Sequence, residues 1–252
     1  GGAGDLGSRV VRDLARRGHD AVSASRRSGV DLGTGAGLDR ALDRALDGAA
    51  AVINCADDPR RGDAVTVDGA RRLAEAAASR GTHLVHISIV GIDGHPLRYY
   101  RRKLAAERAL AEVGGPVTVL RATQFHSLAA FFARALTRGR LTFTFGDLRL
   151  QPVDTEFVAA RLVDLALGPG PAAYDRATDV AGPEVLTIAE LATMVRGHRG
   201  VRPPVVVRLP PVGRTLGAVA AGGNLPSPGA ADIGGRRFAE WLAEQPPVLS
   251  GR

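Results

Sequence analysis

Tyr99 and Lys103 stand four residues apart in YYRRK, a Y-x-x-x-K spacing. On a helix, positions i and i+4 share a face, which sets an ammonium one turn from a phenol. A nearby cation favours phenolate and moves a tyrosine toward acid–base work. Of the 33 basic residues in the chain, Lys103 alone is lysine. A guanidinium would carry the same charge, but its fork is not a compact point donor.

The first residues, GGAGDLG, place Gly1, Gly4 and Gly7 at G-x-x-G-x-x-G spacing and lead into an amphipathic run. Such glycines allow a tight turn, close backbone approach to a pyrophosphate, and close packing of helix on strand. The helix N-terminus then offers free N–H groups and the positive end of its dipole to the phosphates. The backbone of Asp5 and Leu6 belongs to that first turn. About twenty residues on, where an acidic residue would select NAD, the sequence reads Ser25-Arg26-Arg27. Guanidinium groups there suit the 2′-phosphate of NADP. Asp31 and Leu32 are placed to close around the adenine, and Cys55 and Ala56 end a strand beside the expected coenzyme path. NADP is the expected cofactor, with NAD the alternative.

These residues need a scaffold, and the first half supplies its rhythm. Leu6, Val10, Val11 and Leu14 share one helical face, closed by Gly18. Asp20–Ser25 (DAVSAS) alternates like a modest strand. Residues 37–47 form an amphipathic stretch with Leu38, Ala41, Leu42 and Leu46 in register. AAVINCA (50–56) reads as a strand covered on both faces. A helix is predicted over 63–79, a β-branched strand over His83–Val90, a helix over 99–112 and a buried strand over Val117–Ala122. Strand–helix alternation with short links predicts a doubly wound α/β fold: a parallel sheet with helices on both faces. The glycine fingerprint requires a strand ahead of it. The sequence begins at that glycine, so this strand is expected to precede Gly1 in a longer chain.

The second half is less regular. It predicts helices near 127–137 and 155–167, strands at Leu141–Phe145 and Val205–Leu209, and a breaker at 168–171. Thr187 with Glu190 makes a capping box that opens a helix over 188–197. A loop-rich stretch over 210–235 with one short helix follows, then a last helix over 235–244 carrying Phe238, Trp241 and Leu242. The expected division is a dinucleotide-binding core over 1–126 and a smaller, irregular substrate-side lobe over 127–252.

Composition narrows the rest. With 45% hydrophobic residues the chain can bury a core. No apolar run reaches the roughly 18 residues of a membrane span. The opening residues lack the basic flank and apolar block of a secretory leader. A single cysteine excludes an internal disulfide and suits a reducing compartment, so a cytoplasmic protein is expected. The net charge of +7 invites nucleic acid, yet the arginines are spread along the chain and no reading element accompanies them. The six histidines are scattered, so no metal site is expected. The partners expected are a small-molecule substrate, with no nucleic acid and no membrane, in a monomer or homodimer.

Together, GGAGDLG, SRR, AVINCA, VDGARRLAEAA, HLVHISIVGID, YYRRK, TVLRATQFH, QPVDTEFVA and DVAGPEVLTIAEL resemble the short-chain dehydrogenase/reductase superfamily. The likeness is to its extended and atypical branches, the NmrA-like and sugar-epimerase-like NAD(P)-binding proteins, and runs over nearly the whole chain. It implies a Rossmann fold with Tyr99 as general acid/base and Lys103 on the nicotinamide ribose. It implies Ser88 as the hydroxyl that bonds the substrate oxygen, although extended members carry several serines there. Gln124, Phe125 and His126 correspond to the stretch bordering nicotinamide and substrate. The implied function is hydride transfer between NADPH and a small carbonyl or alcohol. A coenzyme-binding sensor without turnover and a nucleotide-sugar epimerase are the alternatives.

Overall fold

The computed structural model describes residues 1–41, 50–58 and 61–246. They group into two compact units, 1–121 with 158–178, and 122–157 with 179–246 of the described chain. In chain order the elements of the first unit are α1 (Asp5–Arg16), β1 (Ala51–Asn54), α2 (Gly69–Ala78), β2 (His83–Ile89), α3 (Arg98–Val113) and β3 (Val117–Ala122). The chain continues through α4 (His126–Ala135), β4 (Thr137–Arg138), β5 (Leu141–Phe145), β6 (Arg149–Leu150) and α5 (Thr155–Leu167). From Val158 of α5 it is back in the first unit, which also holds β7 (Asp175–Arg176). It then runs through β8 (Asp179–Ala181), β9 (Leu186–Thr187), α6 (Ile188–His198), β10 (Val205–Leu209), α7 (Arg214–Ala220), β11 (Ala231–Ile233) and α8 (Phe238–Ala243).

The first unit is the parallel sheet the alternation predicts. β1 pairs with β2 in register Ala51↔His83 through Asn54↔His86, and β3 pairs with β7. His83 to Ser88 of β2 are all buried. A run covered on both faces is ordinarily apolar throughout; in HLVHIS each histidine makes one side-chain bond, His83 Nε2 with Thr118 Oγ1 at 2.8 Å and His86 Nδ1 with the Asn54 amide at 3.0 Å. Small residues on α2 (Ala70, Ala74, Ala77) and α3 (Ala106) let these helices settle against Leu84, Val117 and Val119. Arg121, at the end of β3, grips Glu107 of α3 with two bonds at 2.9 and 2.6 Å, both side chains nearly fully buried. A bidentate pair of this kind fixes geometry. Here it sets the register of α3 and so the positions of Tyr99 and Lys103.

Among the described residues Asp20–Ser25 is extended and makes no ladder; the Gly2 N–H reaches its Ala24 carbonyl at 3.0 Å. Of the amphipathic stretch 37–47, residues 38–41 are helical, while Leu42 and Leu46 lie outside the described residues. The helix predicted over 63–79 opens with a wide π-helical turn, Ala64–Asp68, before α2.

In the second unit β5 lies between β4 and β10, β6 pairs with β9, and β8 pairs in parallel with β11. The Thr187 capping box is present, with Glu190 N–H donating to Thr187 Oγ1 at 3.2 Å and Thr187 N–H to Glu190 Oε2 at 2.7 Å. The short pairings β4, β6, β8, β9 and β11 were not anticipated, because two or three residues leave no period to read.

Candidate active site

The glycine turn is built by close backbone contacts. Gly4 N–H donates to the Gly1 carbonyl at 2.9 Å. A Cβ on Gly7 would lie 2.3 Å from that carbonyl oxygen and 2.8 Å from Gly2 Cα. A Cβ on Gly1 would meet the Ala56 nitrogen at 2.5 Å. Only hydrogen fits, so backbone lies against backbone. No side chain caps α1 behind Gly4, which leaves first-turn N–H groups for a ligand. Leu6 is buried under the helix. The Asp5 carboxylate is turned aside to Arg9, so its backbone is what it offers.

One cavity gathers Gly1, Gly4 and Gly7 with Ser25, Arg26 and Arg27. Asp31, Leu32, Cys55 and Ala56 line it as well. Ser25 opens a tight turn: its N–H donates to Ser28 Oγ at 2.8 Å, and Gly29 closes the turn at φ 85°. Arg26 and Arg27 are thereby left exposed at the rim. Arg26 faces Asp58 at 3.5 Å. Opposite, Arg61 holds Asp31 through two bonds at 2.6 and 2.8 Å, and its guanidinium keeps the Asp31 carboxyl below its ordinary range. The Cys55 thiol is pushed up to about 12 by burial, so it lines the wall as a neutral group. Glycine turn, arginine rim and strand end thus fit a nucleotide coenzyme with a phosphate-bearing ribose.

Tyr99 and Lys103 lie on α3 as the spacing requires, but they do not face each other. Lys103 is buried and donates from Nζ to the Ile87 carbonyl at 2.9 Å. Burial lowers its pKa, against the pull of Asp57, Glu107 and Cys55. The Tyr99 hydroxyl instead donates to Asp57 Oδ2. Burial, then the Asp57 charge and that hydrogen bond, raise the phenol well above its usual range. Ser88 is buried on β2, its hydroxyl without a hydrogen-bond partner among the described residues. Two positions along, His86 is buried as well. Asn54 Oδ1 accepts from the Ala56 N–H at 3.0 Å, so its amide nitrogen faces His86 Nδ1, also at 3.0 Å. The imidazole is therefore an acceptor at Nδ1, and burial and Lys103 hold it neutral. The sequence reading missed Asp57, Asp58 and Arg61. Their only trace was an acidic pair directly after AVINCA.

Gln124, Phe125 and His126 belong to the second unit. Gln124 is buried and donates to the Asn224 carbonyl at 3.0 Å while accepting from Gln151 N–H at 3.3 Å. Phe125 forms a bridge with Val153. His126 is fully buried, bonds the Arg236 carbonyl through Nε2 at 3.0 Å, and packs between Phe238 and Trp241 at centroid distances of 5.6 and 5.5 Å. Burial lowers its pKa. Among the described residues no group of three His, Cys, Asp or Glu could hold a metal ion, and no helix is long and apolar enough to cross a membrane.

A glycine-rich turn running into a helix beside a parallel sheet, with Y-x-x-x-K on a following helix, defines a Rossmann-type α/β protein of the extended short-chain dehydrogenase/reductase class. More particularly, residues 1–213 match the RmlD substrate binding domain, and the chain belongs to that family. No curated protein matches the sequence significantly. Among solved structures, a nucleoside-diphosphate-sugar epimerase from Staphylococcus aureus superposes with a TM-score of 0.70 at 15% identity, over 97% of this chain and 98% of that one. An NADPH-dependent quinone oxidoreductase from Escherichia coli, complexed with NADPH, gives 0.67 at 18% identity over 96% and 97%. A dTDP-4-dehydrorhamnose reductase from Bacillus anthracis, in complex with NADP, gives 0.61 at 15% over 83% and 82%. At such identities the likeness establishes the fold.

Proposed function

We propose that this chain is an NADP-dependent oxidoreductase acting on a small carbonyl or alcohol, with Tyr99 as the proton-transferring group. The observation that carries the reading is the single cavity that joins the glycine turn, the Arg26–Arg27 rim and the Cys55–Ala56 strand end. Gly1, Gly4 and Gly7, with the backbone of Asp5 and Leu6, would take the pyrophosphate. Arg26 and Arg27 would pair with a 2′-phosphate, and Leu32 would pack on the adenine. NADPH, when bound, supplies the hydride that a carbonyl carbon accepts.

The chain's own part is the proton. In reduction the Tyr99 O–H bond breaks as a new O–H bond forms on the substrate oxygen, and the phenolate left behind recovers a proton from water. Lys103, already buried beside Ile87, would hold a ribose hydroxyl and offset the phenolate charge. Ser88 would donate to the substrate oxygen. Positioned acid–base groups of this kind are worth about 10²–10⁴ in rate.

The reading is tested by titrating the protein with NADPH and NADH and assaying NADPH oxidation against a panel of quinones, aldehydes and ketones. Tight NADPH binding with turnover abolished by Tyr99→Phe is the expected result. Tight binding with no turnover on any carbonyl would favour the second reading, a coenzyme-binding sensor. The feature that favours it is Ser88, whose hydroxyl is buried away from hydrogen-bond partners.

A further inference from the structure

Tyr99 has a partner that its own helix does not supply. Asp57, three residues beyond the end of β1, accepts the phenol's hydrogen bond on Oδ2. Its other oxygen, Oδ1, accepts from Thr66 Oγ1 at 3.0 Å. Thr66 is almost fully buried and sits in the π-helical turn ahead of α2, a local widening of the kind found often at functional sites. The loop bearing Asp57 is fixed from its other end too, where Asn54 Oδ1 holds the Ala56 N–H at 3.0 Å. A carboxylate on the wall of the coenzyme cavity is thus tied at both ends and directed at the phenol.

We propose that Asp57 is a positioning residue for Tyr99, one that fixes the phenol and keeps it protonated until its hydrogen turns from Asp57 to a substrate oxygen. The proposal rests on Tyr99 being the acid–base group and names what prepares it. A carboxylate that accepts from a phenol fixes the hydroxyl torsion, and it opposes ionisation, because a phenolate would face a second anion. The charges facing Tyr99 agree. Asp57 comes from the loop after β1; Tyr100 and Arg102 come from α3. Arg102 alone acts the other way, and its Nε is committed to Asp63 at 2.7 Å. Lys103, the cation expected to ease ionisation, points to Ile87. The phenol is therefore held in its protonated form, the form that carbonyl reduction consumes.

The first readout needs neither coenzyme nor substrate. The chain has three tyrosines, so Tyr100→Phe with Tyr174→Phe leaves Tyr99 as the sole phenol, and phenolate absorbance against pH reads its ionisation. In that background Asp57→Asn should lower the midpoint by at least about one pH unit, the size expected on removing a like charge in contact. Asp57→Glu should return it toward the parent. Thr66→Val, which frees Asp57 without removing it, should move it the same way by less, and it keeps the test alive should Asp57→Asn misfold. Circular dichroism at neutral pH verifies each fold. Folded variants that ionise with the parent overturn the proposal. A shifted phenol together with full activity in Tyr99→Phe would overturn the acid–base reading, and with it the purpose of the positioning. An unshifted phenol with an inactive Tyr99→Phe would strike Asp57 alone.

Discussion

The Lys103 ammonium donates to the Ile87 carbonyl at 2.9 Å, sixteen residues back on the neighbouring strand, while Tyr99 on the same helical face turns to Asp57. The helix thus carries the two groups one turn apart, and the strand and the loop after β1 decide what each one touches. This arrangement separates the two roles that a Y-x-x-x-K motif usually merges.

That separation gives a pattern across three variants. Tyr99→Phe should cut turnover by at least about 10² and leave NADPH affinity almost unchanged. Lys103→Met should weaken both, since it removes a cation and a ribose contact. Tyr100→Phe keeps the ring stacked on His95, 4.4 Å between centroids, and should be nearly silent. Steady-state kinetics with coenzyme titrations on the three proteins distinguishes the roles; sensitivity at Tyr100 rather than Tyr99 would contradict the assignment.

Coenzyme choice should follow the rim. Arg26 and Arg27 are exposed beside the cavity, and a charge-assisted bond contributes about 1.5–3 kcal/mol. Replacing either by Ala should therefore reduce the preference for NADPH over NADH roughly tenfold or more. Coenzyme fluorescence titration measures it, and an unchanged ratio in the double variant would remove these arginines from the site.

Gly7 and Gly18 should respond differently to alanine. At Gly7 a Cβ meets backbone at 2.3 and 2.8 Å, so the turn must open and coenzyme binding should be lost with stability. At Gly18 there is open space but φ is 80°, and the cost should be only about 1–2 kcal/mol of strain. Denaturant melts and NADPH titration of both variants make the comparison.

Between about pH 7 and pH 5, folding stability should fall as pH falls. His83, His86, His95 and His126 all have pKa values lowered by burial from the ordinary 6.5. A group depressed in the folded state binds its proton more readily when unfolded. The stability it contributes is therefore present above 6.5 and is lost on acidification, at up to about 1.4 kcal/mol per pH unit for each such histidine. His86→Gln should flatten the slope by about one proton in urea melts across this range.

Removing Glu107 should cost about 3–5 kcal/mol, the penalty for leaving a buried charge with a broken pair. Arg121 would keep only Asp93, which is largely exposed. Because this pair registers α3, Glu107→Ala should also disturb Tyr99, visible as a changed phenol titration.

The sequence by itself determined the elements whose signals are local. Apolar continuity marked β1, β2 and β3; the i, i+4 rule placed Tyr99 and Lys103 on one face; Thr187 and Glu190 announced the start of α6. Gly1, Gly4 and Gly7 were legible because a tight turn tolerates only a hydrogen. The tertiary structure alone decided the rest. β8 and β11 form although neither is long enough to show a period. Asp57 meets Thr66 nine residues away and Tyr99 forty-two away, distances over which no spacing rule operates. A motif specifies which side chains share a face of one element. What those side chains bond to depends on how elements pack, and packing is a property of the whole core.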